Sequence, residues 1–145
     1  MDLSNEPNVK QAVPFFLVSD INASVRYYAE GLGFEMTRSW IDNGVLRWCW
    51  LQIGTAAIML QEFWKEGPHA TVPRDPLGVG VSICFLCEDA LAIYNETRSR
   101  GIEASRPFVG NGMWVTSMTD PDGYRLDFES YTDAPEESVF EDESG

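Results

Sequence analysis

The chain repeats itself. Asp20 ends the apolar run VPFFLVS (13–19), and Gly33 ends the amphipathic segment that follows it. Asp89 and Gly101 stand in the same relation to VSICFLC (81–87) and its following segment, 69 and 68 positions later. Gly54, in front of the run AAIMLQ, has its counterpart in Gly123, in front of YRLDFESY. A repeat of this length is one supersecondary unit used twice, and each unit has an apolar face that it cannot bury alone. Two copies facing each other across a pseudo-twofold axis leave a cleft between their sheets, a natural place for a ligand.

Each unit reads as strand, helix, strand, strand, strand. In the first, VPFFLVS is short and apolar, as a buried strand is, and Pro14 is tolerable only near its start or on an edge. DINASVRYYAEGLGF then predicts a helix capped by Asp20 or Asn22, with Val25, Tyr28 and Leu32 as its apolar stripe and glycines at its end. FEMTRSWI, VLRWCWLQI and TAAIMLQEFW follow as strands, the first two joined by the hairpin turn Asp42-Asn43-Gly44. KEGPHATVPRDPLGVG (65–80) carries three prolines and three glycines and reads as a linker. The second unit repeats the order with VSICFLC, a helix over EDALAIYNETRSRG, and the strands EASRPFV, MWVTSMT and YRLDFESY. At 145 residues the chain is expected to form one domain. Its parts are a first module over 12–64, a linker loop over 65–79, a second module over 80–131 and an acidic tail over 132–145.

Composition narrows the function classes. The formal net charge is −13, but the tail TDAPEESVFEDESG contributes six acids and no base, so the body is only moderately acidic. The tail reads as a solvated segment. Nucleic acid is excluded as a partner, because phosphate binding needs clustered Lys and Arg. No apolar run reaches the roughly 20 residues that span a membrane, and MDLSNEPNVKQ has no secretory pattern, so a cytoplasmic location is expected. The three cysteines, Cys49, Cys84 and Cys87, are expected as free thiols, and Cys84 and Cys87 as small apolar fillers. Three apart on a strand, Cys84 and Cys87 point to opposite faces and do not grip one ion together.

PFFLVSDINASVRYYAEGLGF and DPDGYRLDF resemble the vicinal oxygen chelate superfamily, which includes glyoxalase I, extradiol dioxygenases, methylmalonyl-CoA epimerase and bleomycin-resistance proteins. The resemblance covers about residues 12–131. It implies an α+β fold of two tandem βαβββ modules forming a cleft between curved mixed sheets, with a homodimer as the working unit. It also implies four equivalent strand positions that hold a divalent metal in the enzymes, where the metal chelates substrate oxygens. Those positions fall on Val13, Met59, Ser82 and Asp127. Of these only Asp127 is a good ligand, since Val has no donor, a thioether is soft and a neutral Ser is weak.

With the alternation of a strand, the same face as these slots receives Phe15, Leu17, Gln61, Cys84 and Glu129. Trp48, Trp50 and Trp114 supply large rings nearby. The residues expected to bind a ligand are therefore Phe15, Trp48, Trp50, Met59, Gln61, Ser82, Trp114, Asp127 and Glu129, with no catalytic residue and no cofactor. The rings suit stacking on an aromatic or cationic small molecule, and the acids suit its positive groups. This points to a sequestering protein in the manner of the bleomycin-resistance members. The acids have a plainer use if Arg125 or Arg47 neutralises them. Two alternatives stand beside the binder. One is a divergent lyase, isomerase or dioxygenase holding Ni, Zn, Mn or Fe through Gln61, Asp127, Glu129 and His69. The other is a dimerisation or regulatory domain with a vestigial cleft.

Overall fold

The computed structural model describes residues 6–68, 70 and 72–141. The first module runs β1 (Phe15–Val18), α1 (Ile21–Val25) continuing as a wider π-helical segment (Arg26–Gly31), β2 (Glu35–Asp42), β3 (Val45–Ile53) and β4 (Ala56–Glu62). The second runs β5 (Ser82–Leu86), α2 (Ala90–Ser99), β6 (Phe108–Gly110), β7 (Met113–Thr119) and β8 (Arg125–Tyr131). Each module makes a four-stranded mixed sheet, in the orders β1-β4-β3-β2 and β5-β8-β7-β6. The opening strand pairs parallel with the last, and the remaining pairs are antiparallel. The fold is thus α+β, two βαβββ modules in tandem. The repeat extends to register: Phe15 lies opposite Met59 as Cys84 lies opposite Asp127.

Local chemistry explains the element boundaries. Asp20, not Asn22, caps α1, accepting from the amides of Asn22 and Ala23 at 3.1 and 3.2 Å. Asp89 does the same for α2 with Leu91 and Ala92 at 3.0 and 3.1 Å. Asn43 and Gly44 both have positive φ, as do Asn111 and Gly112, so both modules turn their first hairpin with the same left-handed pair. The strand expected over 103–109 shrinks to Phe108–Gly110. Pro107 has no N–H to offer a ladder, and upstream of it the hydrogen bond to β7 runs from Ser105 N to Ser117 O, at 2.8 Å.

The helix-facing sides of both sheets merge into one core. Phe16, Val18, Ile58, Leu60, Cys49 and Leu51 come from the first sheet, Phe85, Leu126, Phe128 and Met118 from the second, with Tyr28, Leu32 and Phe34 between them. Phe34 meets Phe85 edge-on at 5.8 Å. Gly31 and Arg100, equivalent positions of the two halves, touch directly: the Arg100 guanidinium donates to Gly31 O at 3.0 Å. A Cβ on Gly31 would come within 2.3 Å of the Ile102 side chain, so only glycine allows this approach without displacing it.

The turn Asp120-Pro121-Asp122-Gly123 staples the modules. Asp120, 4% exposed, accepts from the Tyr28 hydroxyl at 2.7 Å through one oxygen and from the amides of Asp122 and Tyr124 at 2.9 Å through the other. Asp122 accepts from Ser19 N. Tyr124 stacks on Phe16 at 4.2 Å with the ring planes nearly parallel, and its hydroxyl donates to Leu17 O at 2.8 Å. Burial raises the Asp120 pKa above the ordinary carboxylate value, against its hydrogen bonds, which lower it.

The acidic tail departs from its solvated reading. Its described part runs along β6, with Val109 N donating to Ser138 O, Glu137 N to Val109 O and Phe140 N to Pro107 O. The Glu136 carboxylate accepts from the amides of Asn111 and Gly112. Phe140 meets Tyr94 of α2 and Trp114 of β7 edge-on. Counting acids missed the one aromatic residue that anchors the segment.

Two substitutions separate the roles of Asp120. Asp120→Ala orphans three donors and is expected to cost about 3 kcal/mol in urea unfolding. Asp120→Asn keeps the oxygen that accepts both amides and offers its NH2 to Tyr28, so it is expected within about 1 kcal/mol of wild type at neutral pH. A raised folded pKa stabilises fully at pH below the unfolded value and loses that contribution as pH rises through the folded one. Wild type should therefore lose stability relative to Asp120→Asn as pH is raised from acid toward neutral.

Candidate functional site

The side of each sheet turned away from the shared core is open. On the first sheet two ladders cross all four strands: Phe15–Met59–Trp50–Arg38 and Leu17–Gln61–Trp48–Trp40. Strand alternation puts these side chains on the face opposite Phe16, Ile58, Leu60, Cys49 and Leu51, so Phe15, Trp48, Trp50, Met59 and Gln61 share one face of this sheet. Phe15 and Trp40 are 47% and 48% exposed. The Trp50 indole N–H donates to Gln52 Oε1 at 3.1 Å, which fixes the ring.

Arg38 is the residue that the sequence did not reveal. Its guanidinium lies 5.6 Å from the Trp48 ring and 5.4 Å from the Trp50 ring, and among the described residues no carboxylate pairs with it. Register shifts flank it on β2, between Met36 and Arg38 and between Trp40 and Ile41, and such bulges re-aim side chains. Bulges leave no mark in the order of residues, so strict alternation gave no reason to single it out. Arg47 instead covers Trp64, at 4.0 Å.

On the second sheet the open face carries Ser82, Cys84, Leu86, Arg125, Asp127, Glu129 and Ser117. Both acids are engaged. Asp127, buried, accepts from Ser117 Oγ at 2.6 Å and from Arg125 Nε at 3.0 Å, and Arg125 also donates to Ser117. Glu129 accepts from the Cys84 thiol. Loss of solvation first, then the hydrogen bond and charge of Glu129, push the Cys84 pKa up to about 12. Cys84 is exposed, so its reading as an apolar filler fails, while Cys49 is a buried core residue.

Among the described residues no hydrogen bond, ion pair or ring contact joins the two open faces. The contacts joining the modules belong to the helix-facing sides and to the turn at 120–124. The faces of Trp48 and of Asp127 belong to separate sheets. Trp114 leaves the set: it pairs with Ser130, on the helix-facing side of the second sheet, and packs on Phe140. The strand position of the tryptophan is even where that of Asp127 and Glu129 is odd.

The slots do not suit a divalent ion. Val13 precedes β1, Met59 stands between Phe15 and Trp50, Ser82 offers a neutral hydroxyl, and Asp127 is already paired. The alternative donors are divided, with Gln61 on the first sheet and Asp127 and Glu129 on the second, and His69 lies outside the described residues. Among the described residues no three His, Cys, Asp or Glu side chains form a metal-holding group. Among the described residues no helix is long and apolar enough to cross a membrane.

Residues 10–128 match the family described as the Glyoxalase/Bleomycin resistance protein/Dioxygenase superfamily. The chain belongs to that superfamily. Comparison with curated proteins finds no match. Among solved structures the chain is similar to TnmS3, an antibiotic binding protein from Streptomyces sp. CB03234, at 18% identity and TM-score 0.67, over 88% of this chain and 100% of that one. It is similar to TioX from Micromonospora sp. ML1 at 16% identity and TM-score 0.66, over 86% and 100%. It is also similar to a lactoylglutathione lyase from Agrobacterium tumefaciens at 18% identity and TM-score 0.63, over 86% and 96%. At these identities the likeness is one of fold.

The pairing of Cys84 with Glu129 has a chemical consequence. At pH 8 a thiol whose pKa is raised in this way holds much less thiolate than a free one. Peptide mapping after iodoacetamide labelling should show Cys84 reacting far more slowly than a free thiol despite its exposure. Glu129→Gln should speed it at least about threefold; equal rates would contradict the assigned contact.

Proposed function

We propose that this protein binds a planar small molecule without transforming it, in the manner of the resistance-type members of its superfamily. The observation that carries this reading is the aromatic face of the first sheet. There Phe15 and Trp50 flank Met59, the position where a metal-dependent relative would need a hard donor, and Trp48 and Trp40 stand in the adjoining ladder. Ring stacking, not acid–cation pairing, supplies the attraction in this reading, because Asp127 and Glu129 are engaged by Arg125 and Cys84. Arg38 lies over the same rings and either shares the ligand or slides off it. The similarity to an antibiotic binding protein agrees with this class of function.

A sheet face of this kind is only half of a site. Exposed Phe15 and Trp40 on one sheet, with Leu86 68% exposed on the other, are the surfaces that a second copy covers when the first sheet of one protomer faces the second sheet of its partner. The working unit proposed is accordingly a homodimer with a ligand between the two sheets. Proton-bearing groups on the second sheet do not make an enzyme without a nucleophile or an activated water.

Metal analysis of gently purified protein is expected to give less than about 0.1 equivalent of nickel, zinc, manganese or iron, and a stoichiometric metal would favour the lyase or dioxygenase alternative. Tryptophan quenching by acridine orange and 2-naphthoate should be saturable. Trp50→Leu should weaken it about tenfold. Light scattering should report a dimer, and a monomer that binds equally well would remove the two-sheet site.

A further inference from the structure

The two halves of the inter-module contact are built differently, and the difference leaves a cavity. The register makes the Gln52–Ala57 pair the counterpart of Thr119–Arg125, so Ile53–Ala56 stand where Asp120–Tyr124 stand in the second module. Ala56 thus occupies the place of Tyr124. Tyr124 fills its half completely: the ring lies 4.2 Å from Phe16 at 7° and the hydroxyl donates to Leu17 O. The counterparts of Phe16 and Leu17 are Phe85 and Leu86. Opposite them Ala56 offers a single methyl group. A groove of about 550 Å³ opens there, lined by Ala56, Phe85, Leu86, Cys87, Ile93 and Phe128 among others.

We propose that this groove is a second small-molecule site, separate from the aromatic face, and that it takes a phenol. The molecule itself supplies the template. A ring entering beside Ala56 meets the Phe85 side of the groove as Tyr124 meets Phe16, and its hydroxyl reaches the Leu86 carbonyl as that of Tyr124 reaches Leu17. Phe85 is backed by Phe128, with centroids 5.0 Å apart and planes at 18°, so an added ring extends an existing stack. β5 is an edge strand, which leaves carbonyls on its outer side for such a donor. The lining is mostly apolar, without a charged side chain, which favours a neutral phenol over a phenolate or an amine.

The test uses p-cresol, the tyrosine side chain as a free molecule. In thermal unfolding of the full-length protein, p-cresol at tenfold its dissociation constant should raise the Tm by about 3–5 °C, and toluene, lacking the hydroxyl, should do less. Ala56→Tyr should raise the Tm on its own and abolish the response, whereas Trp50→Leu should leave the response intact. Transfer of 19F line broadening from 4-fluorophenol, displaced by p-cresol, reads the same site without relying on stability. Absence of a saturable response overturns the proposal. So does a response lost in Trp50→Leu and kept in Ala56→Tyr, which would place cresol on the aromatic face. Dissociation of a dimer by Ala56→Tyr would mean that a second copy fills the groove, and would also overturn it.

Discussion

The structure depends on one apolar core that the helix-facing sides of the two sheets share. Each helix covers only part of its own sheet, α1 against β3 and β4 and α2 against β7 and β8, because it is short and the sheet is four strands wide. Merging the two sides into one core solves this, with Tyr28 and Phe34 wedged between the sheets. The same solution leaves the other face of each sheet outside that core. Packing and function are therefore linked by parity, since every residue spent on the core fixes its neighbour on an open face.

The Asp-Pro-Asp-Gly turn shows how a polar group serves such an interface. A buried carboxylate is costly unless every lone pair is used, and Asp120 uses both oxygens on three donors. Its neighbours Asp122 and Tyr124 reach Ser19, just after β1, and Leu17 within β1. What reads in the sequence as a family signature is physically a clasp between modules. It does not touch the open faces, which explains why the motif says so little about which reaction or ligand a given relative handles.

Much of this was legible beforehand, and the misses share a cause. The repeat, the helix caps and the hairpin turns follow from short-range rules, and the face shared by Phe15, Met59, Gln61, Trp48 and Trp50 follows from alternation alone. Trp114 was assigned by composition without its phase, and the structure turns it to the helix-facing side. Arg38 depends on bulges, and the partners of Asp127 and Glu129 depend on cross-strand neighbours. That no hydrogen bond, ion pair or ring contact joins the aromatic and acidic faces among the described residues is a matter of how the modules dock, which no local pattern encodes.

The C-terminal segment has a consequence for behaviour outside the native state. By lying along β6 and seating Phe140 beside Trp114, it gives the outer edge of the second sheet a backbone partner from within the chain. Proteolytic removal of that segment would uncover a row of unsatisfied amides and carbonyls together with a freshly wetted tryptophan. Such an edge recruits strands from other molecules. The negatively charged end is thus a guard against self-templated growth, and its clipping would be felt first as turbidity.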